Sequence, residues 1–416
     1  MKQIHVAEGI DLYVNQSEKF KTNLISVYIH QPLLRETVTK NALIPMVLTK
    51  GCRSFPTARS IEKELMMLYG GKLENAVVKK GDLSSLYFSL EFAKDRFVPE
   101  KIEQRAVSLL FDIIFRPNAD CFSDNIVKIE KKNLKEQIQN MIDNKRYYAK
   151  RRCAEIMCEG QPYALNEYGY IEDLDAIDGS QLNTRYQDVI RTAPIDIFIS
   201  GEIDPAAIEK AIKERLSDRT PVPAQAVAVI GDTNDGVKKV TDTLNITQGK
   251  INLGYKTGVS PKSDALYQLM VYNSVLGSGV HSKLFNNVRE KLSLCYYVAS
   301  QIDRFKGIMF IDSGVEQKNF KAATDEIERQ MEEIRIGNIA DFELEASKKS
   351  LCNAVRSTAD NDQLLSDFYM NGILAGQFVT VDEFMQKINA VTKEDVQKIS
   401  QNIKLDTMYF MQGGAQ

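Results

Sequence analysis

Ser54-Phe55-Pro56-Thr57 leads into an amphipathic run that stops at Gly70-Gly71, and Ser85-Leu86-Tyr87-Phe88-Ser89-Leu90-Glu91-Phe92 follows. In the run, Ile61, Leu65 and Leu68 recur at i, i+4 and i+7, the spacing of one helix face. Thr57 is a residue type that caps helix N-termini, and Gly70 can end the helix in the left-handed conformation. The aromatic and aliphatic run after the glycine pair has the composition of a strand. A helix that hands over to a strand is the unit from which the rest of the chain is read.

That unit has an echo. Asp188-Val189-Ile190 and then Ile195-Asp196-Ile197-Phe198-Ile199-Ser200-Gly201 close the first half of the chain. Ile399-Ser400-Gln401-Asn402-Ile403 and Leu405-Asp406-Thr407-Met408-Tyr409-Phe410-Met411 close the second. Each is a helix followed by a short apolar strand. The strand at 85–92 is matched by Tyr296-Tyr297-Val298-Ala299-Ser300 and Ile308-Met309-Phe310-Ile311. Copies that each cover half the chain are too long for a solenoid period and predict duplicated domains. Between them, Asp218 to Gly249 holds Pro221, Pro223 and Gly231-Asp232-Thr233-Asn234-Asp235-Gly236, which continue neither periodicity. The expected division is an N-terminal domain 1–217, a linker 218–249 and a C-terminal domain 250–416. Ile327, Met331 and Ile334 mark a further helix, and Ser123 to about Glu159 reads as one long helix with a solvated charged face.

With 416 residues, 44% hydrophobic and 26% charged, the composition is that of a globular chain able to bury a large core. Lys plus Arg number 53 against 56 Asp plus Glu, so charge gives no argument for nucleic acid or an anionic membrane. The N-terminus alternates apolar residues without a signal-peptide core, and no 18-residue apolar run spans a bilayer. A cytoplasmic location is the default expectation. The three histidines, His5, His30 and His281, are scattered, and none pairs with another at metal-ligand spacing. Of the six cysteines, Cys153 and Cys158 form the one close pair, with no second pair to complete a thiolate set. They are expected to be reduced, mostly buried thiols. Serine or cysteine hydrolysis fits poorly, because no Ser/Cys signature with an orienting histidine occurs.

The most specific run lies in the second half: Gly277-Ser278-Gly279, then Ser282-Lys283-Leu284-Phe285, Val288-Arg289-Glu290-Lys291 and Leu294-Cys295-Tyr296. A guanidinium offers fixed donors to carbonyls or a carboxylate, and a phenol donates one directional bond. The plainer alternative is that Arg289 pairs with Glu290 and Tyr296 fills a strand face. Together with Lys50-Gly51, Ser54-Phe55-Pro56-Thr57 and Gly70-Gly71, this run resembles the pitrilysin or insulinase-type zinc peptidases and the processing-peptidase relatives. The resemblance implies two homologous α+β domains, each an antiparallel-rich sheet with helices on one face, forming half of a clamshell. It also implies that Arg289 and Tyr296 hold substrate, with Gly277, Gly279 and Phe285 supporting the motif.

Counting nine residues back from Gly51 puts Ala42, Pro45 and Met46 where that family carries His-x-x-Glu-His. None of the three can ligate zinc firmly or take a proton, so no catalytic residue and no metal site is expected in this chain. The family's further zinc ligand falls near 127–136; Glu130 and Glu136 are six apart rather than seven, and anchoring on Glu136 puts Ile129 on the ligand position. Either carboxylate then reads as a solvated helix acid. The resemblance implies a chain inactive as a peptidase by itself, whose partner is a homologous subunit carrying His-x-x-Glu-His and supplying zinc, with a peptide as substrate. Within the family it is similar to the zinc-less partner protein of Gram-positive bacteria linked by name to the 5-aminopentanol modification of elongation factor P. The alternative is a peptide-binding or scaffold protein without a hydrolytic role, including a homodimer of the isolated chain.

Overall fold

The computed structural model describes residues 1–216, 219–223 and 236–414. The chain forms two compact units, the first from Met1–Gln139, Leu165–Ala226 and Asp362–Ser366, the second from Asn140–Ala164, Val227–Asn361 and Asp367–Gln416.

Unit 1 is built on strands β1 (Lys2–Ala7), β2 (Ile10–Gln16), β3 (Thr22–Pro32), β4 (Lys72–Lys80), β5 (Leu83–Ala93) and β6 (Ile195–Gly201), in the order β1-β2-β6-β3-β5-β4. β2 and β6 run parallel, and every other neighbouring pair is antiparallel. The helix Ala58–Met67 starts at Thr57, whose hydroxyl accepts the Ser60 N–H while the Ser60 hydroxyl accepts from Thr57. The preceding helix, Val38–Leu48, packs on β4 and β5 and is apolar nearly all round, as a buried helix must be.

Unit 2 repeats the plan. Strands β7 (Lys238–Leu244), β8 (Gly249–Lys256), β9 (Cys295–Asp303), β10 (Ile308–Val315) and β11 (Lys404–Gly413) lie in the order β7-β11-β8-β10-β9. Here β7 and β11 run parallel, and the other neighbouring pairs are antiparallel. Setting β1 aside, the two sheets have the same connectivity, so the duplication read at the strand ends is present in the topology. The helix Ala265–Gly277 packs against β9 and the helices Asp341–Thr358 and Lys393–Ser400. Fully buried side chains on it such as Val271 and Val275 each contribute about 1.5–3 kcal/mol.

Alternation along β10 shows that both faces of this sheet are covered. Met309 and Ile311 join the core beneath the helix Ala265–Gly277, while Ile308 and Phe310 point the other way, into a second core with Ala149, Cys153, Met157 and Tyr409. The second core is closed by the helix Lys145–Met157, which comes from the first half of the sequence. The single long helix expected over 123–159 is therefore two, Asp124–Asp143 and Lys145–Met157. Asn144 separates them because its side chain accepts the Tyr147 N–H, starting a new helix where composition alone shows no break.

Within the expected linker, residues 218 and 224–235 lie outside the described residues, and the division at 218–249 stands as a proposal. Lys238–Leu244 of that stretch is strand β7. Its signal is weak because an edge strand paired on one side keeps polar residues, here Lys238, Lys239, Asp242 and Thr243.

Candidate functional site

Ala42 and Pro45 sit on the buried side of the helix Val38–Leu48, and Met46 is half-buried. Thr49 lies one turn on, its hydroxyl donating to the Met46 carbonyl at 3.0 Å. A methyl group, a pyrrolidine ring and a thioether do not make a zinc site: none offers an imidazole or carboxylate, and none can hold a proton for a hydrolytic step. Among the described residues no group of three or more His, Cys, Asp or Glu is placed to hold a metal ion.

Glu130 is not a solvated acid. It is 3% exposed, its carboxylate lies 3.1 Å from the Lys50 ammonium, and it accepts from the Asn133 amide at 3.1 Å. A buried carboxylate needs a counter-charge, and here a lysine supplies it. Glu136 does stand exposed, in an i,i+4 pair with Lys132, and Ile129 is exposed as well. Sequence reading missed the Glu130 contact because Lys50 is 80 positions away.

The histidines are likewise used locally. His30, buried in β3, bonds Ser85 at 2.8 Å and Asp196 at 3.0 Å, while His5 pairs with Asp11 at the surface. His281 Nε2 lies 3.2 Å from Ser274 and 3.0 Å from Ser347, and burial lowers its pKa. All six cysteines are free and buried, and desolvation pushes the Cys121 thiol up to about 11.

The Arg/Tyr run of unit 2 has a specific local architecture. Gly277 ends its helix against β9: a Cβ there would come within 2.8 Å of the Ser300 nitrogen and 2.6 Å of its hydroxyl. Gly279 has φ +120, open to glycine and strained for other residues. Ser282 then closes the turn, its hydroxyl donating to the Gly279 carbonyl at 2.7 Å. Residues Leu284–Lys291 form a π-helix, with the Leu292 N–H reaching the Asn287 carbonyl. The Asn287 amide bonds the Lys283 carbonyl at 3.0 Å and Gln330 at 3.0 Å, holding the wide turn open. Such turns recur at functional sites because the extra residue re-aims the side chains that follow. At the entrance, Lys283 and Glu343 form a buried ion pair at 2.9 Å, and Glu343 also accepts the Ala340 N–H at 2.9 Å.

Arg289 emerges from this turn half-exposed. Its guanidinium lies 4.8 Å over the Phe285 ring and its Nε is 3.5 Å from Glu290, a loose pair. Tyr296, the second residue of β9, is 60% exposed and donates to Glu316 at 3.3 Å. Lys318, hydrogen-bonded to Glu316, holds that carboxyl below its ordinary range. The π-helix and β9 pack together, so both side chains are carried on one rigid element pair. The Glu290 contact expected on the plainer alternative is present, but Tyr296 does not fill a buried strand face. The structure brings Phe285 to Arg289 and Gly277 to Ser300; the π-turn and the Lys283–Glu343 pair had no sequence signal beyond two adjacent asparagines in a helix.

Two α+β units of the same strand connectivity, β1 aside, define the class of the protein, a duplicated metallopeptidase-type fold. A family model described as peptidase M16 inactive domain matches residues 176–351. The chain is 33% identical over 409 residues to the "Probable inactive metalloprotease YmfF" of Bacillus subtilis, covering 97% of this chain and 96% of that one. It is 23% identical over 414 residues to the "Uncharacterized zinc protease YmxG" of the same organism, covering 97% and 95%. A crystal structure of a conserved protein from Enterococcus faecalis superposes with a TM-score of 0.90 at 27% identity, covering 100% of this chain and 99% of that one. The chain belongs to the M16, or pitrilysin-type, peptidase family. Among the described residues no helix is long and apolar enough to cross a membrane.

Proposed function

We propose that this chain is the non-catalytic, substrate-binding subunit of a heterodimeric zinc metallopeptidase acting on peptides. The contrast that carries the reading is that Ala42, Pro45 and Met46 stand where the resemblance puts the family's metal motif, while Arg289 and Tyr296 are exposed on a braced element with weak surface partners among the described residues. In this reading a homologous subunit supplies zinc and the general base. Arg289 and Tyr296 donate to peptide carbonyls and to the charge that develops on one of them, lowering the barrier through preorganised donors. On resemblance alone, the reading also places the chain in the cytoplasm and beside the 5-aminopentanol modification of elongation factor P.

The test begins with gentle purification of the tagged chain and native mass spectrometry. A one-to-one assembly with a second chain of similar size, one zinc heavier than the two polypeptides, supports the reading. In that complex Arg289→Ala or Tyr296→Phe should slow peptide cleavage about 10- to 1000-fold, the range for losing a transition-state donor. If Arg289→Ala weakens peptide binding but leaves the partner's hydrolysis unchanged, the chain is a peptide-binding scaffold instead. Unchanged rates and unchanged binding in both variants overturn the role given to the pair.

A further inference from the structure

Unit 1 contains a cavity of about 1090 Å³ with no place in the reading above. It opens between the start of the helix Val38–Leu48, the segment 115–122 and the helix Gly179–Thr192. Its size is at the upper end of small-molecule sites.

Charge is what distinguishes it. The wall carries Lys40, Arg116, Arg185, Arg191, Arg215 and Arg219 against a single carboxylate, Asp188. Asp188 is shared between Arg185 at 2.6 Å and Arg191 at 3.3 Å, and Arg215 is matched behind the wall by Asp112 at 2.8 Å. Among the described residues Lys40, Arg116 and Arg219 have no carboxylate partner. Arg185 is held rigidly, its Nε donating to Asn41 at 2.9 Å and its Nη2 to Gln31.

Arg219 is the extreme case. Nη2 donates to the Ala193 carbonyl, whereas Nε and Nη1 are buried with no hydrogen-bond partner among the described residues. Burial without an opposing charge draws its pKa down to about 10, so it remains a cation at neutral pH. Its charge acts on the cavity through a medium of low dielectric constant, with no carboxylate paired to it among the described residues. The Thr37 hydroxyl, also on the wall, is buried and likewise has no partner among the described residues. With Asp188 and Asp112 counted, the wall keeps an excess of positive charge whose mutual repulsion a bound anion would relieve.

We propose that this cavity binds a small molecule bearing a chain of phosphates. Planar guanidinium forks match phosphate oxygens two at a time. Three uncompensated cations in one concave space call for several negative charges on a compact group, which a monocarboxylate does not supply. The near-neutral net charge of −3 gives no broad basic surface for nucleic acid or a bilayer. Phe115, Phe122 and Tyr186 supply an apolar part of the wall, with the Phe122 and Tyr186 rings 5.4 Å apart.

Isothermal titration calorimetry of the full chain with tripolyphosphate, with adenosine triphosphate and with hexaglutamate tests the assignment. Lys40 has no ion pair to lose, so Lys40→Gln should fold as the parent does and bind tripolyphosphate ~10- to 100-fold more weakly, the worth of one charge-assisted contact. Lys40→Arg should restore binding, and Arg289→Ala should leave it unchanged, which separates this site from the peptide-positioning pair. Equal affinity for the two phosphate ligands means the phosphate chain alone is read; tighter adenosine triphosphate means the aromatic wall contributes. No binding of either phosphate ligand, full binding by a correctly folded Lys40→Gln variant, or hexaglutamate binding as tightly as tripolyphosphate each overturns the proposal.

Discussion

Breaking the Lys283–Glu343 pair should destabilise unit 2 out of proportion to its single 2.9 Å contact. Both side chains are 8% exposed, and Glu343 also caps the helix Asp341–Thr358 through the Ala340 N–H. Glu343→Gln keeps an acceptor for that N–H but leaves the lysine ammonium buried without a counter-charge. Losing one partner of a fully buried pair costs about 3–5 kcal/mol; the residual exposure lets water reach the lysine and lowers the expectation to about 2–3 kcal/mol. For a unit of roughly 200 residues this is a drop of about 4–12 °C in melting temperature. Lys283→Met should cost a similar amount by stranding the carboxylate. The double variant Lys283→Met/Glu343→Gln removes both charges, and it should recover most of the loss, giving a coupling of about 4 kcal/mol in a double-mutant cycle. Urea denaturation monitored by circular dichroism gives all four stabilities. Single-variant losses below about 0.5 kcal/mol, or losses that simply add in the double variant, would refute the view that a buried charge pair anchors the entrance to the π-turn.

Two further outcomes follow from the same neighbourhood. Burial lowers the His281 pKa from 6.5, so the folded state resists protonation and stability held above pH 6.5 should fall as the pH drops below it. The slope is at most about 1.4 kcal/mol per pH unit for one proton; His281→Asn should flatten it between pH 6.5 and 5.5 in urea midpoints, and an unchanged slope would remove His281 as its source. Gly277→Ala places a methyl group within 2.8 Å of the Ser300 backbone, so a loss of about 1–3 kcal/mol is expected, and a variant as stable as the parent would show that the helix end can shift away from β9.

What was legible in the sequence was whatever repeats locally. Thr57, Ile61, Leu65 and Leu68 place a helix because capping and a 3.6-residue period act over a few positions, and the paired strand ends at 195–201 and 405–411 expose the duplication because each is a compact apolar run. Lys238–Leu244 was obscured because an edge strand needs little apolar residue, and the break at Asn144 because one side-chain acceptor decides it. The site was legible only as residue identities. Arg289, Tyr296 and the glycines could be named, but Lys283 finds Glu343 sixty positions on, Asn287 finds Gln330, and Lys50 finds Glu130. No local pattern encodes a side chain's partner across the fold, and the cationic cavity is likewise an assembly of residues from 37 to 219 that composition, with its balanced charges, conceals.

The segment where the resemblance places the family's metal motif shows how a fold can stand without ligand bonds. Ala42 and Pro45 occupy a helix whose neighbours Leu43, Ile44, Val47 and Leu48 are all buried, so the helix is held by apolar packing on β4 and β5 rather than by any ligand bond. The proline costs the helix one hydrogen bond, which burial on this scale offsets. At Glu130 the same logic appears as charge: a carboxylate that stays buried beside a lysine needs no cation from solution. A surface role for this chain would use groups such as Arg289 and Tyr296, braced by the π-turn and the sheet edge, whose polar partners among the described residues are Glu290 and Glu316 and whose positions such a role would explain.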